Sequence, residues 1–217
     1  RRGAAGPERA GRSAADLAHR MHPRTCHRLE WGRHRLELGR RTGIMGIVNV
    51  TPDSFSDGGR FLGRTEAVDQ GLRLAAEGAD IIDVGGESTR PYSEGVSVEE
   101  EIRRVVPVIA ELAGRIRAPI SIDTTKAAVA RRALEAGAAM INDISALRLE
   151  PALAEVAVEF GVPVVLMHMR GEPRTMQVAP RYDDLVGEIG AFLRQAADDA
   201  ERRGVPRERL ILDPGIG

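Results

Sequence analysis

The chain is 217 residues long, 42% hydrophobic and 29% charged, enough apolar material to bury a core in one large domain or two small ones. No stretch approaches 18 consecutive apolar residues, which excludes a membrane-spanning helix, and the single cysteine, Cys26, excludes an intramolecular disulfide and a cysteine-built zinc site. With aromatic residues at 3%, a stacking platform for single-stranded nucleic acid is excluded too; a reducing, cytoplasmic setting fits the cysteine usage.

The net charge of −1 hides a division. Residues 1–43 hold eleven Arg and four acids, a balance of +7, and the remainder of the chain carries −8. An Arg-rich, acid-poor leader can be a nucleic-acid or membrane tether or an organelle address. Lys126 is the only lysine beside thirty arginines, however, so the richness in Arg is a property of the whole chain. Residues 1–26 are therefore read as a disordered extension without a nucleic-acid or membrane partner. The chain opens on Arg, and Met21 is a candidate start.

Next comes HRLEWGRHRLEL (27–38), which alternates around Gly32 as two short strands joined by a turn do. Such a hairpin would plug the N-terminal face of whatever follows. From Gly43 onward an apolar run, a polar or Gly-rich stretch, a segment of helical period and a glycine recur in that order. The apolar runs are IMGIVNV (44–50), ADIIDVG (79–85), APISID (118–123), AAMINDI (138–144), VPVVLMHM (162–169) and RLILDPG (209–215). They are continuous, as expected of strands buried on both faces of a parallel sheet. Ser97 and Glu100 form a capping box ahead of Ile102, Val105, Ile109, Leu112 and Ile116 on one helical face. Leu185, Ile189, Phe192 and Ala196 make a similar face, and Gly78, Gly137, Gly161 and Gly204 stand where a left-handed helix end is wanted.

About six βα units follow one another. A doubly wound sheet should carry GxGxxG after its first strand, yet here that strand runs into NVTPDSFSDGG. The expected fold is therefore α/β, a (β/α)8 TIM barrel of which this chain holds about six units, spanning residues 27–217 with the hairpin and incomplete at its C-terminal end.

Barrel chemistry gathers at the C-terminal ends of the strands. There the sequence places Asn49, Asp83, Asp123, Asn142 with Asp143, His168 and Asp213, one polar group or more from each strand. Each has a plainer reading. Asp123 and Thr124 are good helix caps, Asn142 can satisfy loop backbone, His168 can be a bonded core histidine, and Asp213 before Pro-Gly can start a turn. Asp83, deeper in its strand, reads as structural. Two Gly-rich stretches, SDGG (56–59) and GGESTRP (85–91), point with Thr89 and Arg90 to an anion site. Carboxylates at 123 and 213 suit the paired N–H donors of an amino-pyrimidinone edge, and Asn142 offers a donor and an acceptor to the same ring. Asn49 is a hard oxygen ligand for Mg2+ on a diphosphate.

The motifs MGIVNVTPDSFSDGG (45–59), GADIIDVGGESTRP (78–91), SIDTTKAAVA (121–130), GAAMINDIS (137–145), VVLMHMRGEPRTMQ (164–177) and LILDPGIG (210–217) resemble the dihydropteroate synthases of folate biosynthesis, in order and spacing. That resemblance implies a transferase that condenses hydroxymethyl-dihydropterin diphosphate with p-aminobenzoate. It also implies Asn49 as the Mg2+ ligand, Thr89 and Arg90 on the diphosphate, and Asp123, Asn142 and Asp213 on the pterin edge. Phe55 and Pro91 match positions that shape the p-aminobenzoate pocket, and the family implies a homodimer at full length. Two departures stand out: Tyr92 follows ESTRP where the family commonly has Gly, and the family's later lysine and Arg-x-His segments have no counterpart in these 217 residues. A pterin-binding methyltransferase-type barrel and an inactive fragment are the alternatives; the diphosphate-cradle motifs favour the synthase.

Overall fold

A computed structural model describes residues 25–50, 60–87, 95–171 and 180–216. The expected hairpin is present: β1 (His27–Trp31) pairs antiparallel with β2 (His34–Leu38) across a turn in which Gly32 has φ +49°. All six apolar runs form strands, namely β3 (Met45–Asn49), β4 (Ile81–Gly85), β5 (Ile120–Asp123), β6 (Met140–Asp143), β7 (Val164–Met167) and β8 (Leu210–Asp213). Helices α1 (Arg60–Ala76), α2 (Val98–Ala113), α3 (Ala127–Glu135), α4 (Leu153–Phe160) and α5 (Leu185–Arg202) alternate with them.

The six strands make one parallel sheet in the order β3-β4-β5-β6-β7-β8. Every connection advances by one strand in one direction. A doubly wound sheet reverses its order at a switch point; this one never does, which is the topology of a barrel wall.

Register fixes which side chains face inward. Ile47 pairs with Asp83, Asp83 with Ser121, Gly85 with Asp123, Asp123 with Asn142, Asn142 with Val165, and Met167 with Asp213. These residues share the inner face. On the outer face Val48, Ile82, Val84, Ile122, Ile141, Val164 and Leu166 are fully buried against the helical layer, with α1 on β3 and β4, α2 on β4 and β5, and α5 on β7 and β8. Burial of both faces in the central strands β4 to β7 explains why their runs do not alternate.

The helix signals hold with adjustments. Ser97 Oγ accepts from Glu100 N–H at 3.2 Å, and Val105, Ile109 and Leu112 are buried together with Val108, while Pro107 is accommodated within α2. Gly78, Gly137, Gly161 and Gly204 all have positive φ. The expected face of α5 is corrected at its start: Leu185 is exposed, and burial along this face reaches completion only at Ala196. The cap reading of Asp123 and Thr124 is corrected too. Lys126 occupies the cap position of α3 with no side-chain cap bond, Thr124 Oγ1 accepts from Lys126 N–H at 3.2 Å, and Glu150 accepts from Ala127 N–H at 3.0 Å.

The hairpin lies at the N-terminal face. Trp31 is buried, and its indole N–H donates to the carbonyl of Ala139, just before β6, at 2.7 Å. Arg41 pairs with Asp80, which also accepts from Ile44 N–H at 2.9 Å and so fixes the start of β3.

Candidate functional site

At the C-terminal ends the strand ladder continues one residue further, through Val50 N–H to Gly85 O at 2.7 Å, Thr124 N–H to Asn142 O at 3.1 Å and His168 N–H to Asp213 O at 2.8 Å. This holds the mouth rigid and places Asn49, Asp123, Asn142 and Asp213 on the inner face at one end of the sheet, on β3, β5, β6 and β8. A cavity of about 490 Å3 runs from the hairpin residues Arg35–Leu38 past Met45 and Ile81 to Asn142 and Asp213. Thr89, Arg90, Pro91 and Phe55 lie outside the described residues.

Asp123 sits in a slot left by a glycine: a Cβ built on Gly85 would stand 3.3 Å from its Oδ2. Burial pushes its carboxyl well above the ordinary carboxylate range, and the acids Asp83, Glu101, Asp143 and Glu87 push the same way. Asp83, one layer deeper, is 3% exposed and accepts from Asn142 Nδ2 at 3.0 Å. Burial raises its pKa, with the hydrogen bond from Asn142 opposing. Asp83 is therefore structural, as read, but structural for the site: it commits one N–H of Asn142 and leaves the amide oxygen and the other N–H for a ligand.

Two sequence readings at the rim are corrected. Asp143 faces outward, fully buried, and its carboxylate accepts from Ser145 N–H at 2.8 Å and Leu147 N–H at 2.6 Å. Those bonds brace a turn in which Ala146 and Leu147 take φ of +52° and +62°. Satisfying loop backbone thus falls to Asp143 rather than to Asn142. His168 also turns outward. Its ring meets Phe192 edge-on at 4.9 Å between centroids, and burial holds its pKa below the ordinary value despite a hydrogen bond to the Pro214 backbone. It is a core histidine, and the inner residue of β7 beside the mouth is Met167.

Asp213 does both things expected of it. Its Oδ1 accepts from Gly215 N–H at 2.8 Å, closing a turn, while its strand register puts it in the mouth. Gly215 has φ +69°, and a Cβ there would lie 2.3 Å from the His168 carbonyl, so only glycine fits. Asn49 is exposed at the end of β3, and its amide oxygen is a hard donor of the kind that Mg2+ takes. Among the described residues no cluster of three or more His, Cys, Asp or Glu is placed to hold a metal. Sequence reading missed the Asp83–Asn142 bond and the Lys126 cluster described below, because both join residues far apart in the chain.

Residues 45–217 match the profile of the pterin-binding enzymes. The chain belongs to that family. It is 50% identical over 186 residues to the dihydropteroate synthase of Synechocystis, covering 86% of this chain and 64% of that one. The Xanthomonas albilineans dihydropteroate synthase with 4-aminobenzoic acid superposes with a TM-score of 0.80 at 51% identity, over 89% of this chain and 68% of that one. The same enzyme in complex with 7,8-dihydropteroate gives a TM-score of 0.75 at 48% identity, over 88% and 66%. This pterin-binding chain thus spans 64% of the Synechocystis relative's length. No helix among its described residues is long and apolar enough to cross a membrane.

Proposed function

We propose that the protein to which this chain belongs is a dihydropteroate synthase. In the reaction, the C–O bond between the pterin methylene and the diphosphate breaks, and its electron pair leaves with diphosphate. The amine lone pair of p-aminobenzoate forms the new C–N bond, and the resulting ammonium loses a proton to give dihydropteroate. The observation that carries the reading is the convergence of Asp123, Asn142 and Asp213 on one mouth of a sheet about half identical to such synthases.

Asp123 and Asp213 would accept the N–H donors of the amino-pyrimidinone edge, and Asn142 would present its amide oxygen and remaining N–H to the same ring. Thr89 and Arg90 would grip the diphosphate, with Phe55 and Pro91 shaping the p-aminobenzoate pocket. Mg2+, when bound, would neutralise charge on the departing diphosphate, with Asn49 as its protein ligand. The residues thus orient the ring, and catalysis is electrostatic, aimed at a departing polyanion. We assign the protein to the cytoplasm, as a homodimer at full length, with residues 1–26 as an extension and 27–217 as the pterin-binding barrel portion.

The test is a coupled pair of measurements. The full-length protein is titrated calorimetrically with 6-hydroxymethylpterin and assayed for conversion of labelled p-aminobenzoate to dihydropteroate. Binding and turnover are expected; a full-length protein that turns over neither substrate would sink the synthase reading. Pterin binding with no use of p-aminobenzoate would favour the methyltransferase-type alternative.

A further inference from the structure

Lys126 is the single lysine of a chain that otherwise uses thirty arginines, and its ammonium stands between two carboxylates. It lies 2.5 Å from Oε2 of Glu101, in the first turn of α2, and pairs closely with Oε2 of Glu87, two residues past β4. The Glu101 side chain is 1% exposed. One turn along α2, Arg104 donates to the Gly86 carbonyl at 2.9 Å. A Cβ on Gly86 would lie 2.8 Å from Val105 and 3.0 Å from Glu101, so residues 86 and 87 are seated directly on this helix.

The same lysine closes the turn that leaves Asp123. Thr124 N–H bonds to the Asn142 carbonyl at 3.1 Å, and Lys126 N–H to Thr124 Oγ1 at 3.2 Å. Asp123 is thus bounded by Gly85 on one side and by the Lys126 turn on the other, and the Lys126 bridge joins the two sides. An ammonium is a compact point charge, whereas a guanidinium is a wider planar fork that would have to be accommodated beside the buried Glu101 carboxylate. Lysine at this one position, in a chain that uses arginine everywhere else, matches that demand.

We propose that Lys126 is a positioning residue of the pterin pocket: by bridging Glu87 and Glu101 it locks the residues after β4 onto α2 and fixes the place and the charge surroundings of Asp123. This rests on the pterin-site reading above for its ligand. The charged groups that act on Asp123 are Asp83 in β4, Glu87 just past it, Glu101 from α2 and, from the other face of the sheet, Asp143 of β6, all acidic, and Lys126 sets a cation against the two glutamates. Burial opposes its charge, yet its bonds to Glu101 and Glu87 raise its pKa.

The experiment follows two readouts in the full-length protein. The Asp123 carboxyl is titrated by carbon NMR, assigned by its loss in Asp123→Asn, and 6-hydroxymethylpterin affinity is measured by calorimetry. In Glu101→Gln the Asp123 midpoint is expected to move to lower pH, since one facing negative charge is gone. Lys126→Arg is expected to weaken pterin binding roughly tenfold, the scale of one charge-assisted contact, at an unchanged melting temperature. Lys126→Met is expected to weaken it at least as much, and where it fails to fold the other two variants decide. An unmoved Asp123 midpoint in Glu101→Gln, or parent affinity in Lys126→Arg, would overturn the role. A parent chain that binds no pterin would overturn the ligand assignment instead, and the Asp123 titration would then decide on Lys126 alone.

Discussion

At the scale of single residues, the mouth combines an acid that resists ionisation with neighbours that have no freedom to turn away. Asp123 is held by Gly85 and the Lys126 turn, and burial with four nearby acids raises its pKa. A ligand that donates N–H groups favours the ionised carboxylate, so binding is coupled to proton release. The sign is definite: the protonated form prevails at low pH, and pterin affinity should climb as pH rises through the Asp123 titration. Calorimetry in two buffers of different ionisation enthalpy should detect the released proton, and Asp123→Asn should abolish it. Asp123→Ala should weaken pterin roughly 10- to 150-fold, the loss of about 1.5–3 kcal/mol from a charge-assisted hydrogen bond. Unchanged affinity would remove Asp123 from the pterin edge. Asp143 belongs to a different account despite adjoining Asn142 in the chain. Asp143→Ala strands two buried N–H groups in a turn with left-handed backbone, so urea denaturation should show about 3 kcal/mol less stability.

Among elements, the decisive relations are strand register and the docking of the hairpin. A shift of one residue in β6 would exchange Asn142 for Asp143 at the mouth, and the paired burial of Ile122 and Ile141 prevents it. The hairpin is a marginal element by itself, since two strands bury little without a partner. Trp31 supplies the partner by inserting under β6 and bonding the Ala139 carbonyl at 2.7 Å. Trp31→Phe keeps most of the apolar contact and loses that bond. The expected cost is about 1 kcal/mol, read as a melting temperature lower by roughly 2–4 °C. An unchanged melting temperature would mean that the bond contributes nothing to the docking.

For the whole molecule, the sheet among the described residues has two edges, β3 and β8. Ile44 and Ile47 are more than half exposed at one edge, and Leu212 and Ile216 are exposed at the other. Unpaired N–H and C=O groups beside exposed apolar side chains invite pairing with other chains. At about 25 cal/mol per Å2, a few hundred Å2 of wet apolar surface forgoes on the order of 7 kcal/mol, comparable to a domain's whole stability. The 217-residue chain on its own should therefore self-associate or melt without cooperativity, as measured by light scattering and calorimetry. A monomer with one sharp transition would show that these edges are closed in solution.

What the residues alone determined is the order and kind of the elements. Continuous apolar runs, the alternation of the hairpin and the 3.6-residue period of the helices, with glycine at each helix end, depend on neighbours in the chain, and the six parallel strands and the hairpin were legible from them; the family resemblance was carried by the motifs between 45 and 217. What tertiary structure decided is which polar groups at the strand ends meet. Asp123, Asn142 and Asp213 converge, while His168 and Asp143, equally polar and equally placed in sequence, turn to the helical side. The pleat sends successive side chains to opposite faces, so a one-residue difference in where a strand begins reverses inside and outside, and the sequence does not mark that boundary to one residue. The bridge from Lys126 to Glu87 and Glu101, residues 39 and 25 positions away, exists only because β4, α2 and the turn after β5 are packed side by side.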